Sequence, residues 1–268
     1  MKINDYTRLL PGKSSLLDIA KFLSVIAVIT WLMARGTESL GYNWQWYQVP
    51  KYLFTVQDGR LLAGPLVDGL IVTVQITAIS LVLSMVIGLF TALFRLSNSI
   101  LARIVARLYL EITRNTPLLI QLFFIYFVLS PLLGFSRFTA AVLALSLFEG
   151  AYASEIFRAG IISIQNGQWE AAYSLGLNTF QTYRKIILPQ AVTRVLPPLA
   201  SQIISLVKDS ALVSTIAISD LTMQGRSIIS ETFLTFELWF TVAAIYLLIT
   251  VTLSFIVNIM EKRFRIET

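Results

Sequence analysis

The chain has 268 residues, of which 56% are hydrophobic and only 13% charged, and its mean hydropathy is +0.74. Charged residues make up about a quarter of an ordinary soluble domain, so a cytoplasmic globule and a disordered chain are both excluded. Histidine and cysteine are absent, which excludes a disulfide scaffold and removes the usual general base, thiol nucleophile and transition-metal ligands. No catalytic residue and no metal site are expected, and the net charge of +6 reads as the positive-inside bias of a membrane protein rather than as affinity for nucleic acid.

A helix that crosses a bilayer needs about 20 mostly apolar residues. Six such stretches follow one another: Leu16 to Ala34, Ile71 to Phe94, Pro117 to Phe135, Phe138 to Phe157, Val195 to Ala217 and Leu238 to Met260. Lys2, Arg8 and Lys13 ahead of the first resemble the basic flank of a signal peptide. The length of the run and the poor cleavage site at Leu32 and Ala34 favour a retained span. Leu10 to Ser14 ends like a phosphate-binding loop, but Thr7 stands where its first glycine belongs and no strand precedes it, so it reads as a turn and the chain is not expected to bind ATP.

With the N-terminus inside, residues 35 to 65 face outward, and Trp44, Trp46, Tyr47 and Tyr52 read as interfacial anchors. The same orientation places Arg95, Arg103, Arg107, Arg158, Arg184, Lys185, Lys262, Arg263 and Arg265 on the cytoplasmic side, with both termini cytoplasmic. No repeat or low-complexity linker appears. The expected organisation is an N-terminal helix and outer segment over residues 1–65, then one membrane domain over 66–268 with a cytoplasmic loop at 158–189.

Four polar features interrupt the spans. Asn115, Thr116 and Pro117 mark a helix start or break, because Pro117 has no backbone donor. Glu149 falls near the middle of the fourth span and Glu155 nearer its cytoplasmic end; six residues separate them by roughly 120° around the helix, so they do not share a face. Glu155 lies three residues from Arg158 and reads as half of an ion pair. Glu149 has two open readings, contact with a cationic substrate group or a protonated, hydrogen-bonded acid between helices. Lys208, Asp209 and Ser210 break the fifth span; these and the Asn115 segment are pathway positions or ordinary helix ends.

The loop after the fourth span carries two short helices. Gln168 to Leu175 is helix-compatible, Gly176 sits at a left-handed C-terminal cap, and Asn178 with Gln181 forms a capping box. The second helix is expected to end at Leu188, ahead of Pro189. Trp169, Ala171, Ala172 and Leu175 would expose apolar surface unless a partner, or the rest of the chain, covers them.

Glu170, Ala171, Ala172, Gly176, Ile186, Leu188 and Pro189 match the spacing E-A-A-x3-G-x9-I-x-L-P, which resembles the signature loop of ABC importer permeases. In that family the loop forms the coupling helix seated in a cleft of the ATPase. Glu111 to Gln121, Gly150 to Gly160 and Lys208 to Leu212 resemble the polar amino-acid branch, which includes histidine, glutamine, glutamate, arginine and opine systems. The resemblance covers about residues 60 to 265; residues 1 to 60 depart from it, and Ala211 stands where a serine is frequent.

The resemblance implies an all-α, type I importer permease core of five transmembrane helices plus one additional N-terminal helix. It implies a multi-pass subunit of the bacterial cytoplasmic (inner) membrane that translocates polar amino acids and is not itself an enzyme. It further implies an ABC ATPase subunit dimer that binds ATP and Mg, a second permease chain, identical or paralogous, and a substrate-binding protein on the outer face. Glu149, with Asp209, inclines the substrate toward cationic amino acids. The alternatives are an importer permease for another small polar solute and a secondary transporter, although no inverted repeat is visible. An intramembrane hydrolase lacks a histidine to pair with a nucleophile.

Overall fold

The computed structural model describes residues 14–39, 41–57 and 59–264. The Lys2, Arg8 and Lys13 flank, the turn ahead of Ser14 and Arg265 lie outside the described residues. The chain forms two compact units, residues 1–45 and 46–268. The first holds helix α1 (Ser14–Ser39), whose segment Leu17–Gly36 is apolar and long enough to cross a membrane. Within it, Asp18 pairs with Lys21 at 3.6 Å, and the Arg35 guanidinium lies 5.0 Å over the Trp31 ring.

The second unit opens with a 3₁₀ turn (Trp46–Gln48), α2 (Pro50–Leu53) and a hairpin of β1 (Phe54–Gln57) with β2 (Arg60–Ala63). Gly64 then turns the chain into α3 (Pro65–Leu96); a Cβ there would stand 2.5 Å from the Tyr52 carbonyl oxygen. Pro65 occupies the first turn of α3, where its missing donor costs nothing. At 32 residues, or about 48 Å, α3 is longer than the roughly 30 Å hydrocarbon layer.

Burial in the second unit follows small residues. Thr73, Thr77, Ser80, Ser84, Gly88 and Thr91 form one buried stripe along α3; Ser80 and Gly88 meet α7 (Arg137–Ile162), and the Thr73 hydroxyl accepts from Leu221 N–H at 3.1 Å. Ala140, Ala144, Ser146, Gly150, Ala151 and Ala153 are buried on α7. In lipid, apolar side chains gain little by leaving the tails, so helices associate where backbones approach closely. At Gly88 an added Cβ would lie 2.7 Å from that of Ala153. The main apolar cluster fills the far half of this seam with Ile76, Leu122, Leu145, Leu206, Val213 and Ile216.

Among the described residues, five helices are individually long and apolar enough to span; α4 (Ile100–Arg114) and Leu118–Leu133 meet that length only together, and they are bent by 107° at the break between them. The expected span from Pro117 to Phe135 is therefore shorter than read from hydropathy. It runs through α5 (Leu118–Phe123), a π segment (Phe124–Leu129) and α6 (Ser130–Leu133), and ends at Gly134 with φ +72°.

The expected helix end at Leu188 is wrong. After α8 (Asn166–Ser174) and α9 (Thr179–Thr182), a π segment (Tyr183–Ile187) passes directly into α10 (Leu188–Asp209), so Thr179–Ile216 is one continuous helical run. A proline inside an α-helix breaks it because the ring meets a carbonyl one turn back and the donor is missing. A wide π turn moves that carbonyl aside, and Pro189 follows it in the first turn of α10. The same device precedes Pro131. A 3₁₀ turn (Ser210–Ile216), α11 (Leu221–Thr232) and α12 (Thr235–Phe264) complete the bundle.

Candidate functional site

The loop between α7 and α10 is fixed at both ends by its own backbone. Gly176 has φ +76°, and the Gly176 and Leu177 N–H groups donate to Tyr173 and Ala172 carbonyls at 2.9 and 3.1 Å, a complete Schellman cap on α8. Two residues on, Asn178 Oδ1 accepts from Gln181 N at 2.9 Å while Gln181 Oε1 accepts from Asn178 N at 3.1 Å, the capping box that opens α9. Two caps back to back hold the α8–α9 corner.

The apolar residues of the loop divide. Ala172 is buried, and Trp169 packs edge-on against Tyr183 at 4.9 Å over Ile161, Ile164, Ile187 and Ala191. Ala171 and Leu175 stay exposed, and Tyr173 and Phe180, not singled out from sequence, join them. Glu170 is exposed on α8, and its carbonyl accepts from Ser174. Ile186 is half-buried beneath, while Leu188 and Pro189 are exposed where α10 begins. The corner thus buries one face on the bundle and presents Glu170, Ala171, Tyr173, Leu175 and Phe180 outward.

A second polar group lies inside the bundle. Glu149 is 1% exposed. Gln202 Nε2, from α10, donates to its Oε2. No hydrogen-bond partner among the described residues reaches its Oε1, and the half-buried Asp209 carboxyl is its acidic neighbour. Two neighbouring carboxyls at this depth make an acidic patch that a cationic group would complement. Gln202 and Asp209 are seven residues apart and so share one face of α10. Lys208 is exposed, and the buried Ser210 hydroxyl donates to the Val207 carbonyl at 2.7 Å.

Glu155 sits apart from that group. Its Oε1 lies 2.7 Å from Arg95 Nη1 on the last turn of α3 and 2.8 Å from Arg114 Nη1 at the end of α4, and its Oε2 accepts from Arg158 Nη2 at 3.0 Å. One carboxylate therefore ties three helices. Nearby, Asn115 Nδ2 donates to the Glu111 carbonyl at 2.8 Å, and Thr116 Oγ1 donates to Ile112 at 2.8 Å. Gln121 Nε2 reaches back to the Thr113 and Thr116 carbonyls. These bonds satisfy the orphan carbonyls of a broken helix, so Asn115 and Thr116 are engaged in capping α4.

Residues 84–266 match the family model described as the binding-protein-dependent transport system inner membrane component. The chain belongs to this family of permeases. The glutamine transport system permease protein GlnP of Escherichia coli (strain K12) is 40% identical over 204 residues, covering 75% of this chain and 93% of that protein. A putative glutamine transport system permease protein of Rickettsia felis is 38% identical over 200 residues, covering 74% and 92%. A crystal structure of an amino acid ABC transporter with histidines superposes with a TM-score of 0.70 at 40% identity, over 74% of this chain and 94% of that one. The inward-facing MetNI methionine ABC transporter superposes at 0.63 with 21% identity, over 75% and 96%, and shares the fold.

As a permease of a binding-protein-dependent system, the protein is a multi-pass inner membrane subunit that works with an ATPase and a substrate-binding protein and is not itself an enzyme. The family sets aside the secondary transporter and the hydrolase. Three partners were missed from sequence: Gln202 of Glu149, and Arg95 and Arg114 of Glu155. The heptad spacing of Gln202 to Asp209 was the available signal for the first; the arginines come from distant segments and left none.

Proposed function

We propose that this permease imports polar amino acids across the cytoplasmic membrane, driven by an ABC ATPase dimer that binds ATP and Mg. The α8–α9 corner is the coupling element, and the observation that carries this reading is its doubly capped geometry with five outward side chains. Glu170, Ala171, Ala172 and Gly176 form the contact element; Ile186, Leu188 and Pro189 join it to α10. A second permease chain completes the pathway, and both chain termini lie on the cytoplasmic side, with the corner and most of the arginines.

Amino-acid transport is named for the relatives and for the structural neighbour at 40% identity. Glu149 and Asp209 form the acidic part of the pathway in this reading, with Gln202 holding Glu149 in place, and a cationic amino acid supplies the charge that the paired carboxyls lack. Lys208 and Ser210 flank the pair; Asn115 and Thr116 hold the broken helix; Glu155 ties the cytoplasmic ends of the helices.

The test is uptake by proteoliposomes holding the permease, its ATPase and its binding protein, with labelled arginine, histidine, glutamine and glutamate offered in turn. Uptake of at least one that requires ATP and the loaded binding protein is expected. Uptake that proceeds without ATP would overturn the assignment.

A further inference from the structure

At the end of the bundle that carries the loop, Arg95, Arg103, Arg107, Arg114 and Arg158 line a cavity of about 290 Å³ with Leu110, Glu111, Glu155 and Ile162. Five guanidinium groups face two carboxylates there, a formal excess of three positive charges. Glu155 is shared by Arg95, Arg114 and Arg158, and Glu111 accepts from Asn115 Nδ2 at 3.0 Å. Arg103 and Arg107 have no ion-pair partner among the described residues and are exposed. The positive-inside bias accounts for arginines at this end of the bundle but not for their convergence on one cavity, which neither the coupling corner nor the acidic pair uses.

The helix that supplies three of the arginines has the geometry of a membrane-surface helix. Around α4, Ala106, Leu110 and Thr113 face the bundle and are buried, while Arg103, Arg107 and Arg114 share the adjoining sector. Ile104, Val105, Leu108 and Ile112 occupy a third, exposed and apolar. The 107° bend to the following helix turns α4 away from that helix's direction. An apolar sector beside a basic one suits the boundary between acyl chains and headgroups.

We infer that this cavity binds the phosphate of an anionic phospholipid headgroup, with Arg103 and Arg107 as its free cations and the α4 apolar face against the acyl chains. Guanidinium forks match phosphate oxygens bidentately, and basic pockets between helices on the cytoplasmic side suit such headgroups. Bound lipid there would stabilise the junction of α3, α4 and α7, where one carboxylate now balances three cations.

The experiment uses the full chain with its ATPase, delipidated in detergent, and follows the melting midpoint during titration with dioleoylphosphatidylglycerol, dioleoylphosphatidylcholine or inorganic phosphate. A saturable rise with phosphatidylglycerol alone is expected. Arg103→Gln with Arg107→Gln weakens half-saturation about 30-fold, taking about 1 kcal/mol for each arginine and 1.4 kcal/mol per decade. Arg103→Lys with Arg107→Lys keeps the charge but not the bidentate fork, so its half-saturation falls between that of the native chain and that of the glutamine variant. An equal response to phosphatidylcholine, or an unchanged response in the glutamine variant, overturns the site. A full response to inorganic phosphate overturns the lipid in favour of a soluble anion. No lipid response, together with loss of permease dimers in the glutamine variant, assigns the cavity to a contact between permease copies instead.

Discussion

Gly176 offers a graded test of the coupling corner. An ideal Cβ at this position meets nothing within 4 Å, so steric crowding plays no part and any penalty comes from φ +76° alone. The left-handed region costs an ordinary L-residue roughly 1–2 kcal/mol, less for asparagine and more for a β-branched side chain. At 1.4 kcal/mol per decade, Gly176→Ala shifts the corner about 5- to 30-fold away from its capped geometry, and Gly176→Val shifts it further. The Schellman bonds from Gly176 and Leu177 are what the shift removes. In proteoliposomes with ATPase and loaded binding protein, substrate transported per ATP should fall in the order Gly, Asn, Ala, Val, with equal amounts of permease inserted. Valine transporting as well as glycine, or asparagine as poorly as valine, refutes the argument.

Gly160 tests helix packing: an added Cβ would collide with Val195 Cγ2. Gly160→Ala should cost about 1–3 kcal/mol as a lowered melting midpoint, and a second change, Val195→Ala, should restore most of it; failure of that rescue places the conflict elsewhere. Glu149→Gln keeps a group for Gln202 to bond but removes the acid, so arginine uptake should drop at least tenfold relative to glutamine uptake, and an unchanged ratio removes the reason for a cationic preference. Asp220 caps α11 by accepting from Met223 and Thr222 N–H groups at 2.9 and 3.3 Å, and burial pushes its carboxyl from 3.8 up to about 6. The folded chain then holds a proton that the unfolded chain has lost, so this group's contribution is full below about pH 3.8 and declines until about pH 6. Asp220→Asn keeps the cap acceptor and should flatten the fall in melting midpoint between pH 4.5 and 7; a steeper fall contradicts the assignment.

Apolar run length located the helices because a bilayer demands it, and the caps at Gly176 and Asn178 were legible because each rests on a local conformational need. The coupling-loop spacing pointed to the permease family for the same reason: it lies within twenty consecutive residues, Glu170 to Pro189. What escaped was non-local or compensated. Pro189 looked like a stop because sequence shows the missing donor and not the wide turn that accommodates it. Glu155 was legible as a partner of Arg158, three residues away, but not of Arg95 and Arg114. Trp169 and Leu175 looked alike in hydrophobicity, yet the helix turns one onto Tyr183 and leaves the other 79% exposed.

The unbroken passage from Thr179 through the π turn into α10 gives the corner mechanical reach. From Thr179 to Gln202 the axis measures about 35 Å at 1.5 Å per residue. A helix axis of that length tilting about 5° near Gln202 carries its loop end roughly 3 Å sideways, less whatever is taken up by bending at Pro197 and Pro198 inside α10. Had Pro189 ended the helix, a joint there would absorb such a swing before it travelled. Because the run has no break at Pro189, a tilt of about 5° about Gln202 reaches Asp209, about 10 Å further along, as an opposite shift of roughly 1 Å beside the buried Glu149.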